Sequence, residues 1–232
     1  MIKLPNFYAC PRKHAAREET IVNMYRKYFQ ETVPEDEQYW SMCGTHEKNG
    51  VFQQGSELGQ LLECNLIKEY QFHGVDIEEE IINRNRESKP EVNWINDDFL
   101  HAMKTECIQD NFNPAIINAD FISLKEKGSA ITSQIMSFIT EIKLDHVLLV
   151  ANIMLTNPHA LGGKKPEEVK IDPDTIVSEF ERWNSFQYAW SSGNWSIHPE
   201  FYIYNGTGRQ SRTIMGTFIF INKGGELFGK YV

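Results

Sequence analysis

Three carboxylates, an asparagine and a pair of glycines stand where chain chemistry concentrates. Asp76 ends the apolar stretch Phe72–Ile77 and directly precedes a helical pattern, Glu78–Glu87. An acidic side chain there, with Ile77 beside it, can accept two hydrogen bonds from ribose hydroxyls, or cap the following helix. Asp98, in Asn96-Asp97-Asp98-Phe99, follows the short apolar run Val92–Ile95. It can accept from an exocyclic adenine amine while Phe99 packs on the ring; the competing role is the cap of a helix Leu100–Cys107. Asn118 and Asp120 close a further run, Ala115–Phe121. Two polar side chains at a strand end, with Phe121 next to them, suit catalysis. Gly44 and Gly55 bracket a segment that also holds Gly50. Glycines before a helix allow close backbone approach to a ligand, and they also serve plain turns. Ser56 is a good N-cap for the helix behind them, and the free N–H groups of that first turn can receive an anionic group.

Positioning such residues calls for strands that alternate with helices. Three times between Tyr39 and Phe121 an apolar strand runs into a polar turn and then a helix, and a fourth strand follows. That order implies a parallel sheet covered by helices on both faces, with ligands bound at the carboxyl ends of the strands. The glycines, Asp76, Asp98 and Asp120 all fall at those ends, which suits a nucleoside-bearing cofactor.

Before the sheet, residues 11–32 read as a helix: Pro11 suits its first turn, and Ile21, Met24, Tyr25, Tyr28 and Phe29 recur at helical spacing. Lys13 and Arg17 lie four apart on one face. A helix that leads down to the first strand must begin near the ligand end, so both belong at the rim; the bland reading is a solvated basic face. After the fourth strand come a helix over Lys127–Ile142, a buried strand His146–Leu155, a long loop Thr156–Pro173, a helix Asp174–Asn184 and an aromatic stretch, Phe186–Trp195, read as packing. The last two strands, Phe201–Tyr204 and Thr213–Ile221, are joined by too few residues for a crossover helix and so form an antiparallel hairpin. Its loop brings Tyr204, Arg209 and Arg212 toward a substrate, or else is an exposed turn with solvated arginines.

The 232 residues suit one moderate domain, and the 41% hydrophobic content allows a full core. The formal charge of -9 repels nucleic acid at long range while leaving room for a local basic patch. Four cysteines, far apart and without a C-x-x-C pair, argue against zinc and against a disulfide framework. Reduced thiols and a cytoplasmic setting follow. The seven histidines show no ligand spacing, so no metal site is expected. No apolar run reaches the ~18 residues of a membrane span, and the first residues lack a signal-peptide stretch. The oligomeric state is left open.

From Tyr39 to Asn222 the order of elements resembles the class I, Rossmann-like, S-adenosylmethionine-dependent methyltransferases. The resemblance implies an α/β fold: a doubly wound, mostly parallel seven-stranded sheet with an antiparallel C-terminal hairpin strand. It implies an N-terminal helical segment (1–38) packed on a Rossmann-like domain (39–232), with S-adenosylmethionine as cofactor. Gly44 and Gly55 would match the family's glycine-rich segment, Asp76 and Ile77 its ribose position, Asp98 and Phe99 its adenine position. Asn118, Asp120 and Phe121 would stand at its fourth-strand position. Two departures stand out: the closely spaced glycines are missing, and Asn118-Ala119-Asp120-Phe121 lacks both prolines of the Asn/Asp-Pro-Pro-aromatic motif. The expected activity is methyl transfer, with nucleic acid the first substrate candidate, held by Lys13, Arg17, Tyr204, Arg209 and Arg212, and a small molecule the second. The rivals are a catalytically silent methyltransferase-like binding module and a nicotinamide-dependent oxidoreductase. The latter would use Asp76 equally but lacks G-x-G-x-x-G.

Overall fold

A computed structural model describes residues 11–44, 46–156, 195–197, 202–205 and 214–223. The chain divides into two compact units, 1–120 and 121–232.

In the first unit a helix opens the described chain. It runs as α1 (Pro11–Arg17), a π-helical stretch (Glu18–Asn23) and α2 (Met24–Tyr28). The expected helix over 11–32 is therefore shorter and carries a wide turn. Thr20 donates its hydroxyl to the Ala16 carbonyl at 2.7 Å, and Thr20, Ile21 and Val22 are all buried. The extra residue in the π turn lets three successive side chains face the core, which a regular helix would rotate away. Four strands follow: β1 (Gln38–Met42), then, past a small two-stranded hairpin β2 (Glu47–Lys48) and β3 (Val51–Phe52), the strands β4 (Phe72–Asp76), β5 (Asn93–Asn96) and β6 (Pro114–Leu124). Between them lie α3 (Glu57–Glu63), α4 (Glu79–Ser88) and α5 (Phe99–Ile108).

The large strands are neighbours in the order β5-β4-β1-β6, and every one of those pairs is parallel. The chain thus works outward from β1 to β4 and β5, then returns to the other side of β1 for β6. That reversal is the topological switch point at which open α/β sheets bind ligands. Helices cover both faces. On one, Tyr39 bonds to Glu57 of α3; on the other, Trp40 meets Phe99 of α5 edge-on. Cross-strand pairs in register, Tyr39 on Phe72 and Trp40 on His73, stack at 5.4 and 5.0 Å.

One sequence alternative is settled here. The segment between Gly44 and Gly55, whose Gly50 was expected to allow close approach to a ligand or to serve a turn, holds a tight hairpin from residue 47 to 52. Asn49 and Gly50 both take positive φ (55° and 76°), the backbone of a type I′ turn, and β2 and β3 pair around it. Gly50 is a turn glycine with nothing near its missing Cβ. The glycine that permits close approach is Gly59, where a Cβ would lie 2.2 Å from the Gln54 carbonyl oxygen.

The second unit holds α6 (Lys125–Glu141), β7 (Val147–Thr156), β8 (Trp195–Ile197), β9 (Tyr202–Asn205) and β10 (Ile214–Asn222). β7 is buried along Val147–Ala151 and pairs antiparallel with β10. The expected final hairpin is present, with β9 antiparallel to the first half of β10. β8 continues the same edge against its second half. Trp195 is buried and its indole N–H donates to the Thr140 hydroxyl at 2.9 Å, so this end of the aromatic stretch is packing. The fold is α/β, parallel in its first strands and antiparallel in its C-terminal ones, as expected. The expected helix Asp174–Asn184 and loop Thr156–Pro173 lie outside the described residues, Thr156 excepted. Among the described residues no helix is long and apolar enough to cross a membrane.

Candidate functional site

Strand alternation puts Tyr39, Ser41, Asn118 and Asp120 on one face of β1 and β6, since Tyr39 pairs with Ile116 and Ser41 with Asn118. α1 and α3 bring charge to this face. Lys13 Nζ lies 3.5 Å from Asp120 Oδ2, both side chains about a fifth to a quarter exposed (21% and 24%). Arg17 Nε lies 3.9 Å from Glu57 Oε2, and the Tyr39 hydroxyl donates to Glu57 Oε1 at 2.7 Å. Burial, then the Glu57 carboxylate, push the Tyr39 hydroxyl well above its ordinary range, so it stays a donor. Asn118 is buried and also bonds Tyr39. The His14 ring nitrogen Nε2 sits 2.6 Å from the Gly55 carbonyl oxygen, and Gln60 Nε2 donates to the His14 carbonyl at 2.9 Å. These ties fix the start of α1 at the carboxyl end of β1, where the direction of the chain predicted it.

Asp76 ends β4 half-buried. Burial raises its pKa, against the pull of the Glu78 N–H that donates to Oδ1 at 2.9 Å. It does not cap α4, whose N-cap is Glu78. Ile77, next to it, is 71% exposed, an apolar side chain held at the strand end. Asn96 of β5 donates to the carbonyls of Asp76 and Ile77 at 3.0 Å each, which fixes this turn. Asp98 is the N-cap of α5 and accepts the His101 N–H at 3.1 Å. Phe99 is buried against Trp40. Cys43, just past β1, is buried, and burial followed by the Asp76 and Glu57 charges pushes its thiol well up.

Gly44 and Gly55 flank the hairpin. The Gly44 carbonyl accepts from Asn85 Nδ2 of α4 at 2.9 Å, and Gly55 is tied to His14. Phe121 and Tyr204 lie in β6 and β9 by backbone; Arg209 and Arg212 lie outside the described residues. Among the described residues no group of His, Cys, Asp and Glu could hold a metal ion. A cleft of about 450 Å³ lined by Glu35, Asp36, Gln38, His73, Asn93 and Asn113, among others, opens at the amino ends of the strands and carries none of the expected site residues.

Glu57, Tyr39 and Asn85 belong to the site's framework and were not singled out from sequence. Glu57 follows the Ser56 cap and reads locally as a dipole-favoured residue of a first turn; only the strand register reveals its partner Tyr39. Asn85 reads as one polar residue of an exposed helix.

Three buried polar atoms on or beside this face, Arg17 Nη1, Ser41 Oγ and Gln60 Oε1, have no hydrogen-bond partner. Together with the half-buried carboxylate of Asp76 and the exposed Ile77, they fit a ligand with a nucleoside at one end and a polar, anion-bearing group at the other.

No family model matches the chain, and no curated protein matches it. Among solved structures, the chain is similar to the plantazolicin methyltransferase BamL in complex with a triazolic desmethylPZN analog and SAH. The identity is 13%, over 92% of this chain and 86% of that one, with a TM-score of 0.46. It is also similar to a candidate sam-dependent methyltransferase from Streptococcus mutans at 12% identity (65% of this chain, TM-score 0.40), of whose length it spans only 38%. A third is a 16S rRNA (adenine(1408)-N(1))-methyltransferase variant from Catenulisporales acidiphilia, at 10% identity over 67% and 75% of the two chains, TM-score 0.37.

Proposed function

We propose that the chain is an S-adenosylmethionine-dependent methyltransferase whose cofactor lies over the carboxyl ends of β4 and β1. The observation that carries this reading is the half-buried Asp76 carboxylate beside exposed Ile77, one strand from the switch point between β1 and β6. A carboxylate at that place is suited to two ribose hydroxyls, and the apolar Ile77 surface to the flat face of a base.

When bound, S-adenosylmethionine supplies an activated methyl group. The chain's work is then alignment of the nucleophile and management of one proton. Asp120 Oδ2 is the acceptor for a proton leaving an amine or hydroxyl nucleophile, and Lys13 holds that carboxylate in place. The proposed substrate is anionic, nucleic acid first and a small molecule second; Lys13 and Arg17 are its contacts in the first unit, and Tyr204, Arg209 and Arg212 are the further contacts expected from the sequence.

A second reading, a binding module without turnover, draws support from Asn118, which is buried and bonded to Tyr39 and so is turned to the framework. Calorimetry with S-adenosylmethionine and S-adenosylhomocysteine, followed by radiolabel transfer to candidate acceptors, separates the two. Binding with transfer supports the enzyme, binding with no transfer to any acceptor the module, and no binding removes both.

A further inference from the structure

The cleft at the amino ends of the strands lies within the first unit and shares no residue with the proposed cofactor and substrate contacts. Its lining is one-sided in charge. Asp36, Glu106 and Asp110 line it, and among the described lining residues there is no lysine or arginine. The carboxylates of these three make no hydrogen bond or ion pair with a described residue. Glu35, at the same rim, is already paired with Lys68. Uncompensated carboxylates gathered around a concavity focus a negative potential into it.

His73 lines the same cleft, only 7% exposed, with its ring stacked on Trp40 at 5.0 Å. Its Nδ1 lies 3.2 Å from the Gln71 carbonyl oxygen. A carbonyl only accepts, so Nδ1 carries the proton and Nε2 presents its lone pair. Burial lowers the His73 pKa, which keeps the ring neutral at pH 7 and that lone pair available. Nε2 has no partner among the described residues. It is an unspent acceptor on a side chain more than nine-tenths buried, a group that calls for a donor. The neighbouring amides do not supply one. Gln38 Nε2 donates to the Asn111 carbonyl, and Gln71 Nε2 to the carbonyls of Pro34 and Glu37. Asn113 gives its Nδ2 to the Asp36 carbonyl at 3.0 Å, which leaves its Oδ1 as a further acceptor.

We propose that this cleft binds a small organic cation bearing N–H donors, an ammonium or guanidinium compound. Its N–H groups hydrogen-bond His73 Nε2 and Asn113 Oδ1, and Asp36, Glu106 and Asp110 supply the countercharge. A volume of about 450 Å³ falls in the range of small-molecule sites. A bare metal ion fits less well, because among the described residues no group of His, Cys, Asp and Glu could hold one. The site does not depend on the methyltransferase reading.

The test titrates agmatine, which carries a guanidinium and an ammonium, and 1,5-diaminopentane, which carries two ammoniums, into the full chain. Calorimetry and NMR follow binding at about 0.15 M salt, where exposed charges more than a Debye length away are screened. At least one compound should bind and move the His73 imidazole resonances; binding that leaves them unmoved overturns the proposal. Asp36→Asn, Glu106→Gln and Asp110→Asn together should weaken binding roughly tenfold or more, the scale of a lost hydrogen bond to a charged group. His73→Phe keeps a ring on Trp40 without the acceptor and should weaken it roughly fivefold. Glu63→Gln, Glu79→Gln and Glu87→Gln together remove as much charge from exposed positions outside the cleft and should change affinity by less than about twofold. Equal weakening by the two triple variants means that overall charge gathers the cation, and overturns the proposal. So does an affinity that neither His73→Phe nor the cleft triple variant alters, binding of neither compound, or tighter binding of Mg²⁺ or Ca²⁺ than of both. Should His73→Phe fail to fold, the two triple variants still decide, since none of their six side chains is buried.

Discussion

Asp76, half-buried, and His46, buried, are two titratable side chains whose shifts have opposite consequences. Burial raises the Asp76 pKa, so the folded chain holds that proton more tightly than the unfolded one. Its contribution to stability is full below the unfolded pKa and lost as pH rises through the folded value. At pH 7 the ionised carboxylate is therefore a cost, which a ligand hydroxyl pair would offset. Asp76→Asn should leave the unfolding midpoint unchanged or raise it, while weakening S-adenosylmethionine by about 1.5–3 kcal/mol, the range for a hydrogen bond to a charged group. Thermal unfolding and calorimetry on the same variant check both halves. His46 behaves the other way. Burial, followed by the Arg17 charge, lowers its pKa from 6.5 to about 3. Its stabilisation is full above 6.5 and lost as pH falls through the folded value, with a slope of up to about 1.4 kcal/mol per pH unit. His46→Phe keeps a ring against Phe72 and Trp94 but has no proton to bind. Urea titrations at pH 7, 5 and 4 should show the wild-type chain losing more stability than the variant. Parallel loss in the two would show that His46 does not titrate as described.

Among the elements, the contact of α3 with the loop before it is the least tolerant. Gly59→Ala sets a Cβ 2.2 Å from a backbone oxygen, and neither partner is a flexible side chain. A loss of about 2–4 kcal/mol is expected, in the upper range of overpacking. Gly50→Ala meets nothing within 4 Å but holds φ at 76°, so about 1–2 kcal/mol of left-handed strain should be its whole cost. Denaturant unfolding of both variants checks the order. The strands β1, β4, β5 and β6 were legible from sequence because each is a short apolar run closed by a polar turn, and the parallel arrangement follows from the helices between them. The β2–β3 hairpin has a sequence signal of its own, since Asn49-Gly50 is a type I′ pair, but flanking strands of two residues each are too short to show alternation. The π turn at Glu18–Asn23 was not legible: Thr20, Ile21 and Val22 are compatible with a regular helix, and only the burial of all three distinguishes them. At the candidate site, the strand-end positions of Asp76 and Asp120 and the place of Lys13 near that end follow from strand ends and chain direction; the pairing of Lys13 with Asp120 does not. Glu57 and Asn85 do not, because their partners, Tyr39 for the one and the Gly44 carbonyl and His46 N–H for the other, are set by register and packing.

At the scale of the whole molecule, a formal charge of -9 opposes nucleic acid, and Lys13 and Arg17 are each neutralised in part by Asp120 and Glu57. If nucleic acid is the substrate, Arg209 and Arg212 must carry much of its binding. Replacing both by Gln should then reduce the slope of log affinity against log salt by roughly one unit per lost contact. An unchanged slope in filter binding, or no oligonucleotide bound at low salt, turns the substrate reading to a small anionic molecule. Under the proposed reading a nucleoside ligand lies at the β1 switch point, where open α/β sheets bind ligands. Calorimetry of the wild-type chain against S-adenosylmethionine, S-adenosylhomocysteine and NAD, repeated on Asp76→Asn, tests that reading most directly. Binding of the first two and not of NAD, with both affinities reduced in the variant, is the predicted result. NAD binding without the other two, or S-adenosylmethionine binding that Asp76→Asn leaves unchanged, would contradict it.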